Sequence, residues 1–312
     1  MPTWSQMHAR GVACLGEVAN LHFQPETASR QILAEVSGYE TSELLSRCDE
    51  PAPHNAVARY EQMLQKLRAG EPLQYVLGNW GFRCLDLFLD KRVLIPRPET
   101  EVVVEVALKE LKTRSVTLGN TLGNPSEVQP AASLVQSIQS NAPPHLLAAD
   151  LGCGSGAIGL SLAAECPNVE VICTDISDEA LAVTRANLAG LGTAGMRVRL
   201  AQGSWYEALA EDTLDLIVSN PPYIATHEQL PEIVVGYEPA EALYAGSKGT
   251  EAIFAILSDA SKWLAPGGSV VCEIAPHQAQ IATQIAQDSG LTNIKIFPDL
   301  TDKPRVLRAC RS

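Results

Sequence analysis

Apolar and small residues recur at helical spacing through residues 24–69, first from Pro25 to Leu45 and again from His54 to Gly70. Gly38, Pro51, Pro53 and Gly70 punctuate the pattern, which predicts a small helical domain over residues 1–78. Alternation then takes over between Asn79 and Pro98. A polar break at Asp90–Lys91 places the turn of a predicted β-hairpin connector there. Residues 99–112 read as an amphipathic helix opening a second domain that runs to 312. Residues 113–144 are rich in Ser, Asn, Gln, Gly and Pro, and predict a surface insertion that is partly disordered. From Leu146 the period alternates. Seven short apolar strands, at 146–152, 169–175, 197–203, 214–220, 267–274, 293–298 and 305–310, interleave with helices near 157–165, 178–189, 250–264 and 276–289. That order predicts an α/β domain with a mostly parallel sheet covered on both faces. The short polar link between the last two strands predicts a terminal hairpin with one antiparallel strand.

The 312 residues carry a net charge of −13, and from Leu146 onward 20 acidic residues face 10 basic ones. A broad basic footprint is missing, so stable nucleic-acid binding is not expected. The eight cysteines include no C-x-x-C pair, which removes the usual support for zinc or a dithiol centre, and no metal is expected. Scattered cysteines in apolar runs, no apolar stretch of membrane-spanning length and no signal-like N-terminus predict a cytoplasmic chain with reduced thiols and no membrane association. A monomer is expected.

Two segments carry chemistry. The first predicted strand ends in Asp150-Leu151-Gly152-Cys153-Gly154-Ser155-Gly156-Ala157-Ile158-Gly159. Glycines between a strand and a helix make a tight turn and let a ligand approach the backbone. The following helix N-terminus suits an anionic group, either the pyrophosphate of a dinucleotide or the carboxylate of S-adenosylmethionine. Asp150 either accepts a hydrogen bond from that ligand or organises the loop. Asp175 ends the next strand, where a ribose-binding acid is expected; Ser177 and Asp178 are better placed to cap the helix that follows. Trp205 is either a core aromatic or an adenine-edge contact.

The fourth strand ends in Asn220-Pro221-Pro222-Tyr223. An amide nitrogen is a poor nucleophile because its lone pair is delocalised into the carbonyl. The Asn220 side-chain oxygen and the Pro221 carbonyl can each accept one N–H of a planar NH2, and Tyr223 can pack on its face. Such a grip orients the nitrogen toward a methyl donor and favours the charge that develops on it.

These motifs resemble amino-methylating class I methyltransferases, whose acceptors include adenine N6, guanine N2 and glutamine N5. Gly70-Glu71-Pro72-Leu73-Gln74-Tyr75-Val76-Leu77-Gly78 and Val93-Leu94-Ile95-Pro96-Arg97-Pro98-Glu99-Thr100-Glu101 narrow the resemblance to the PrmC/HemK family of peptide chain release factor glutamine N5-methyltransferases. Tyr237-Glu238-Pro239, Ala242 to Gly246, and Glu273-Ile274 followed by Gln278 are further similarities. The resemblance implies a Rossmann-like class I domain with a seven-stranded sheet and a helical N-terminal domain. It implies S-adenosylmethionine as cofactor and, as substrate, the Gly-Gly-Gln glutamine of class 1 release factors. It also implies cofactor contacts from Gly152, Cys153, Gly154, Ser155, Gly156, Asp175, Trp205 and Asn220, and glutamine contacts from Asn220, Pro221, Pro222 and Tyr223. Ser204 stands where family members often carry an acid, and Ala275 replaces a frequent glycine. Arg97, Glu99, Glu101 and Glu273 are open between structural ion pairs and substrate contact. His277 reads as a surface or capping residue. Methylation of an exocyclic amino group on a DNA or RNA base is the alternative activity.

Overall fold

Helices fill the first segment because their apolar residues share one face. They span Trp4–Gly16, Pro25–Ser37, Thr41–Ser46, His54–Arg68 and Leu73–Leu77. The computed structural model describes residues 1–18, 23–122, 145–210 and 213–312. The first helix begins well before the expected start at residue 24. Thr3 and Gln6 form a capping box, and Trp4, Met7, Gly11 and Leu15 make its buried stripe. Tyr60 anchors this core: its hydroxyl donates to the Met7 carbonyl at 3.1 Å and shares a 2.7 Å hydrogen bond with Ser29 Oγ. A side chain at Gly11 would overlap that hydroxyl.

The chain divides into two compact units. One comprises residues 1–80, 89–91 and 230–238; the other comprises residues 81–88, 92–229 and 239–312. The connector hairpin pairs β1 (Asn79–Phe82) with β2 (Leu85–Phe88), so its turn falls at Arg83–Cys84 and not at Asp90–Lys91. Arg83 fixes that position. It takes φ +52, its N–H donates to Glu101 Oε1 at 3.1 Å, and its guanidinium grips Glu165 through two bonds of 2.6 and 2.7 Å. Glu101 is thereby a structural acceptor.

The helix expected over 99–112 runs from Thr100 to Leu122. Its polar second half hid this continuation. Thr113 and Thr117 satisfy their hydroxyls on the carbonyls of Lys109 and Thr113, one turn back in the helix. Arg114 then pairs with Asp215 at 2.8 Å and donates to the Pro266 carbonyl. The rest of the expected insertion, 123–144, lies outside the described residues.

Seven strands form one sheet: β3 (Leu146–Leu151), β4 (Val169–Asp175), β5 (Val198–Gln202), β6 (Leu214–Ser219), β7 (Leu264–Glu273), β8 (Thr292–Pro298) and β9 (Pro304–Cys310). Their order is β5-β4-β3-β6-β7-β9-β8, and β9 alone runs opposite to the other six. β3 and β6 are buried almost throughout, as central strands covered on both faces require. From β3 the chain builds outward to β4 and β5, then returns to β6 on the other side. The strand order therefore reverses between β3 and β6, and ligands of open α/β sheets bind at the carboxyl ends beside such a reversal.

Candidate active site

At that reversal the two chemical motifs leave neighbouring strands. β3 and β6 are in register at Asp150 and Val218, and Ser219 Oγ donates to the Leu151 carbonyl at 2.6 Å. The glycine loop and the Asn220 segment thus start side by side. Both border a cavity of about 220 Å³ in the second unit.

The glycine loop supplies one wall. Gly152, Cys153, Gly154 and Ser155 line the cavity. Gly154 bends with φ +55 and donates its N–H to Asp175 Oδ2 at 2.9 Å. Gly156 does not line the cavity. It takes φ +83 at the start of the Ala157–Glu165 helix, and a Cβ there would meet Thr184 Cγ2 at 2.8 Å and Leu160 Cδ1 at 2.9 Å. Its contribution in the structure is close packing of the turn. The loop is held from behind as well, since Asn187 donates to the Ser155 carbonyl while bonding both backbone groups of Phe88 in β2.

Asp150 organises the loop and does not reach the cavity. It is fully buried beneath the turn, where Oδ2 accepts the Gly159 N–H at 2.8 Å. Burial pushes its carboxyl up to about 7, the Gly159 bond opposes that shift, and the charge of Asp175 adds to it.

Asp175 lines the cavity at the end of β4, with one oxygen on Gly154 N–H and the other on Ser177 N–H. Burial raises its pKa against these bonds, and Glu241, on the same cavity, raises it further. Ser177 caps the next helix through Ala180 N–H, which leaves Asp175 free of that task.

Trp205 borders the cavity, its ring lying against Gly152, and also packs on the sheet core. The purely internal aromatic is its neighbour Tyr206, which stacks on Trp263 at 5.6 Å and donates its hydroxyl to the Ile256 carbonyl. Trp205 takes a positive φ of +47.

Asn220 and Pro222 line the cavity; Pro221 is buried and, like Tyr223, does not border it. Asn220 Nδ2 donates to Thr100 Oγ1 at 3.1 Å, and Thr100 donates to Glu273 Oε2 at 2.7 Å. The Tyr223 carbonyl is held by Gln278 Nε2 at 3.1 Å, which also donates to the Gly249 carbonyl at 2.7 Å. Ile224 exchanges backbone bonds with Leu243 and Ala245. The similarities at Ala242–Gly246 and Gln278 therefore fall on the clamp that sets the Asn220–Tyr223 turn. His277 is exposed beside Gln278. Burial pushes Glu273 up to about 7, with Thr100, Arg305 and Arg97 pulling it down. Burial likewise raises the Tyr223 phenol.

Sequence reasoning did not assign Arg92, Val93, Leu94, Pro96, Thr100 and Glu241 to this cavity, although all border it. Val93 to Thr100 stood out only through the resemblance. No periodicity or spacing links that segment to the ends of strands far along the chain.

Residues 9–78 match the PrmC N-terminal domain family, and residues 128–236 match the Methyltransferase small domain family. The chain is 36% identical over 284 residues to a release factor glutamine methyltransferase of Bordetella pertussis, covering 90% of this chain and 93% of that protein. This chain belongs to the release factor glutamine methyltransferase family. A second member, from Cereibacter sphaeroides, is 33% identical over 287 residues, covering 90% of this chain and 89% of that protein. A bifunctional methyltransferase of Rickettsia typhi is 33% identical over 285 residues, covering 91% of this chain and 53% of its own length. The chain thus spans about half the length of the bifunctional relatives it matches.

Proposed function

We propose that this chain transfers a methyl group from S-adenosylmethionine to the side-chain nitrogen of the Gly-Gly-Gln glutamine in class 1 release factors. The observation that carries this reading is the meeting of Asn220 with the glycine loop on one cavity, at the strand reversal. Family membership and the match of residues 9–78 to the PrmC N-terminal domain favour a protein glutamine over a nucleic-acid base.

The cavity fits the cofactor. Its glycine turn leaves backbone open to close approach, Asp175 offers a carboxylate for ribose hydroxyls, and Trp205 offers an aromatic edge for the adenine. When bound, S-adenosylmethionine supplies an electrophilic methyl on a sulfonium. The chain supplies the rest. Asn220 Oδ1 accepts one N–H of the substrate amide at the cavity; the Pro221 carbonyl, for the second N–H, and the Tyr223 ring, for the amide plane, belong to the same turn without bordering the cavity. The nitrogen is thereby aimed, and the positive charge it gains is stabilised by fixed oxygens. The proton leaves afterwards, so no strong base is needed.

Purified release factor incubated with labelled cofactor is expected to carry label on the Gly-Gly-Gln peptide, read by mass spectrometry. Asn220→Ala should lower kcat on the order of 10²- to 10³-fold and leave cofactor affinity within a fewfold of the wild type. A competent release factor that stays unlabelled, or naked tRNA, rRNA or DNA methylated at comparable rates, would overturn the assignment.

A further inference from the structure

We propose that Thr100 and Glu273 are positioning residues that set which end of the Asn220 carboxamide faces the acceptor nitrogen. The inference rests on the function proposed above and deepens it. Register makes the juxtaposition possible. Ser219 of β6 pairs with Cys272 of β7, so Asn220, the first residue past β6, stands beside Glu273, the last residue of β7. Thr100 begins the helix whose first turn reaches both.

The polarity of the chain of bonds follows from the acid at its inner end. In its ionised form, populated above about pH 7, the Glu273 carboxylate only accepts hydrogen bonds. Glu273 is 1% exposed, and its Oε2 takes the Thr100 hydroxyl proton at 2.7 Å. With that proton committed, Thr100 Oγ1 can only accept from Asn220. It selects the NH2 end of the carboxamide, at 3.1 Å, over the oxygen. Asn220 Oδ1 is left as the acceptor for substrate. The flipped amide would present NH2 to NH2, donor against donor, and would lose the grip on the acceptor nitrogen. A carboxamide is nearly symmetric in shape, so packing alone discriminates poorly between its two orientations. A hydroxyl bound to a buried acid discriminates by hydrogen-bond polarity, and Thr100 and Glu273 are buried well enough to hold it.

The test uses the full chain and purified release factor. Thr100→Val keeps the shape and removes the hydroxyl. It is expected to lower kcat on the order of 30- to 100-fold, with affinity for S-adenosylmethionine, measured by calorimetry, within twofold of wild type. Thr100→Ser restores the hydroxyl and should recover most of the loss. A kcat for Thr100→Val within twofold of wild type, or no recovery in Thr100→Ser, overturns the proposal. A second readout does not need turnover. With ¹⁵N-labelled asparagine, the Asn220 side-chain NH2 should exchange slowly with solvent in wild type and in Thr100→Ser, and rapidly in Thr100→Val. Equal exchange in all three overturns the proposal even if release factor is methylated. The expected exchange pattern, found without methylation of release factor, sustains the bond chain and removes only the substrate assignment.

Discussion

Asp150 carries a carboxylate that the fold shuts away from water. Its Oδ2 is satisfied by the Gly159 N–H, while Oδ1 is buried without a hydrogen-bond partner among the described residues. The ionised form is therefore costly, and its pKa moves from 3.8 up to about 7. For an acid raised in the folded state, the folded chain holds more protons than the unfolded one between the two values. Stability is then greatest below about 4 and declines as pH rises toward 7. The shift corresponds to ~4 kcal/mol at most for this group. Asp150→Asn stays neutral at every pH, so its stability relative to wild type should climb across that window and level off above it. Urea unfolding at several pH values measures the difference. A constant offset between the two proteins from pH 4 to pH 8 would mean that Asp150 is not a buried ionising group. Glu273, raised to about 7 in the same way, declines in parallel in both proteins and cancels from the comparison.

At the scale of elements, what could be read from sequence depended on whether local pattern or distant partners decided the geometry. The β3 and β4 strands were legible because central strands are nearly continuous apolar runs. The Gly152–Gly156 turn and Asn220–Tyr223 were legible because each is contiguous and sits where a strand ends. The hairpin turn at Arg83–Cys84 was not, since it depends on Glu101 and Glu165. Nor was the Thr100–Asn220–Glu273 connection, whose members lie 120 and 173 residues from Thr100. Helix extension past Lys112 was hidden for the same reason: a polar, Thr-rich stretch is made helical by Arg114 reaching Asp215. That pair is largely shielded, with side-chain exposures of 14% and 13%. Arg114→Ala leaves the Asp215 carboxylate accepting from the Leu147 N–H at 3.0 Å, with no cation beside it among the described residues. The expected cost is about 2–4 kcal/mol, seen as a lower urea midpoint. Backbone amides beyond Thr113 should lose hydrogen-exchange protection more than those before it. Uniform loss along the helix would show that Arg114 does not anchor this particular stretch.

At the scale of the molecule, charge and topology act on the same place. The sheet reversal sets the cavity among carboxyl-terminal strand ends, and its lining carries two acids, Asp175 and Glu241, against one cation, Arg92, among the described residues. The part of the chain from Leu146 onward carries 20 acidic against 10 basic residues. A cavity with acidic walls in an acidic domain concentrates cations and is sensitive to ionic strength. On the function proposed here, the donor carries a sulfonium charge and the demethylated product does not. Both ligands share adenine, ribose and amino-acid groups, so their other contacts are common to the pair. Raising sodium chloride from about 50 to about 500 mM should therefore weaken S-adenosylmethionine roughly two- to fivefold and S-adenosylhomocysteine distinctly less. Calorimetry at each salt concentration gives both affinities, and the ratio isolates the one charge that differs. Removing an acid by Glu241→Gln should flatten the donor's salt dependence and leave the product's nearly as it was. If donor and product weaken by the same factor, the acidic wall does not sense the sulfonium, and the field of this domain acts elsewhere than on the transferred methyl.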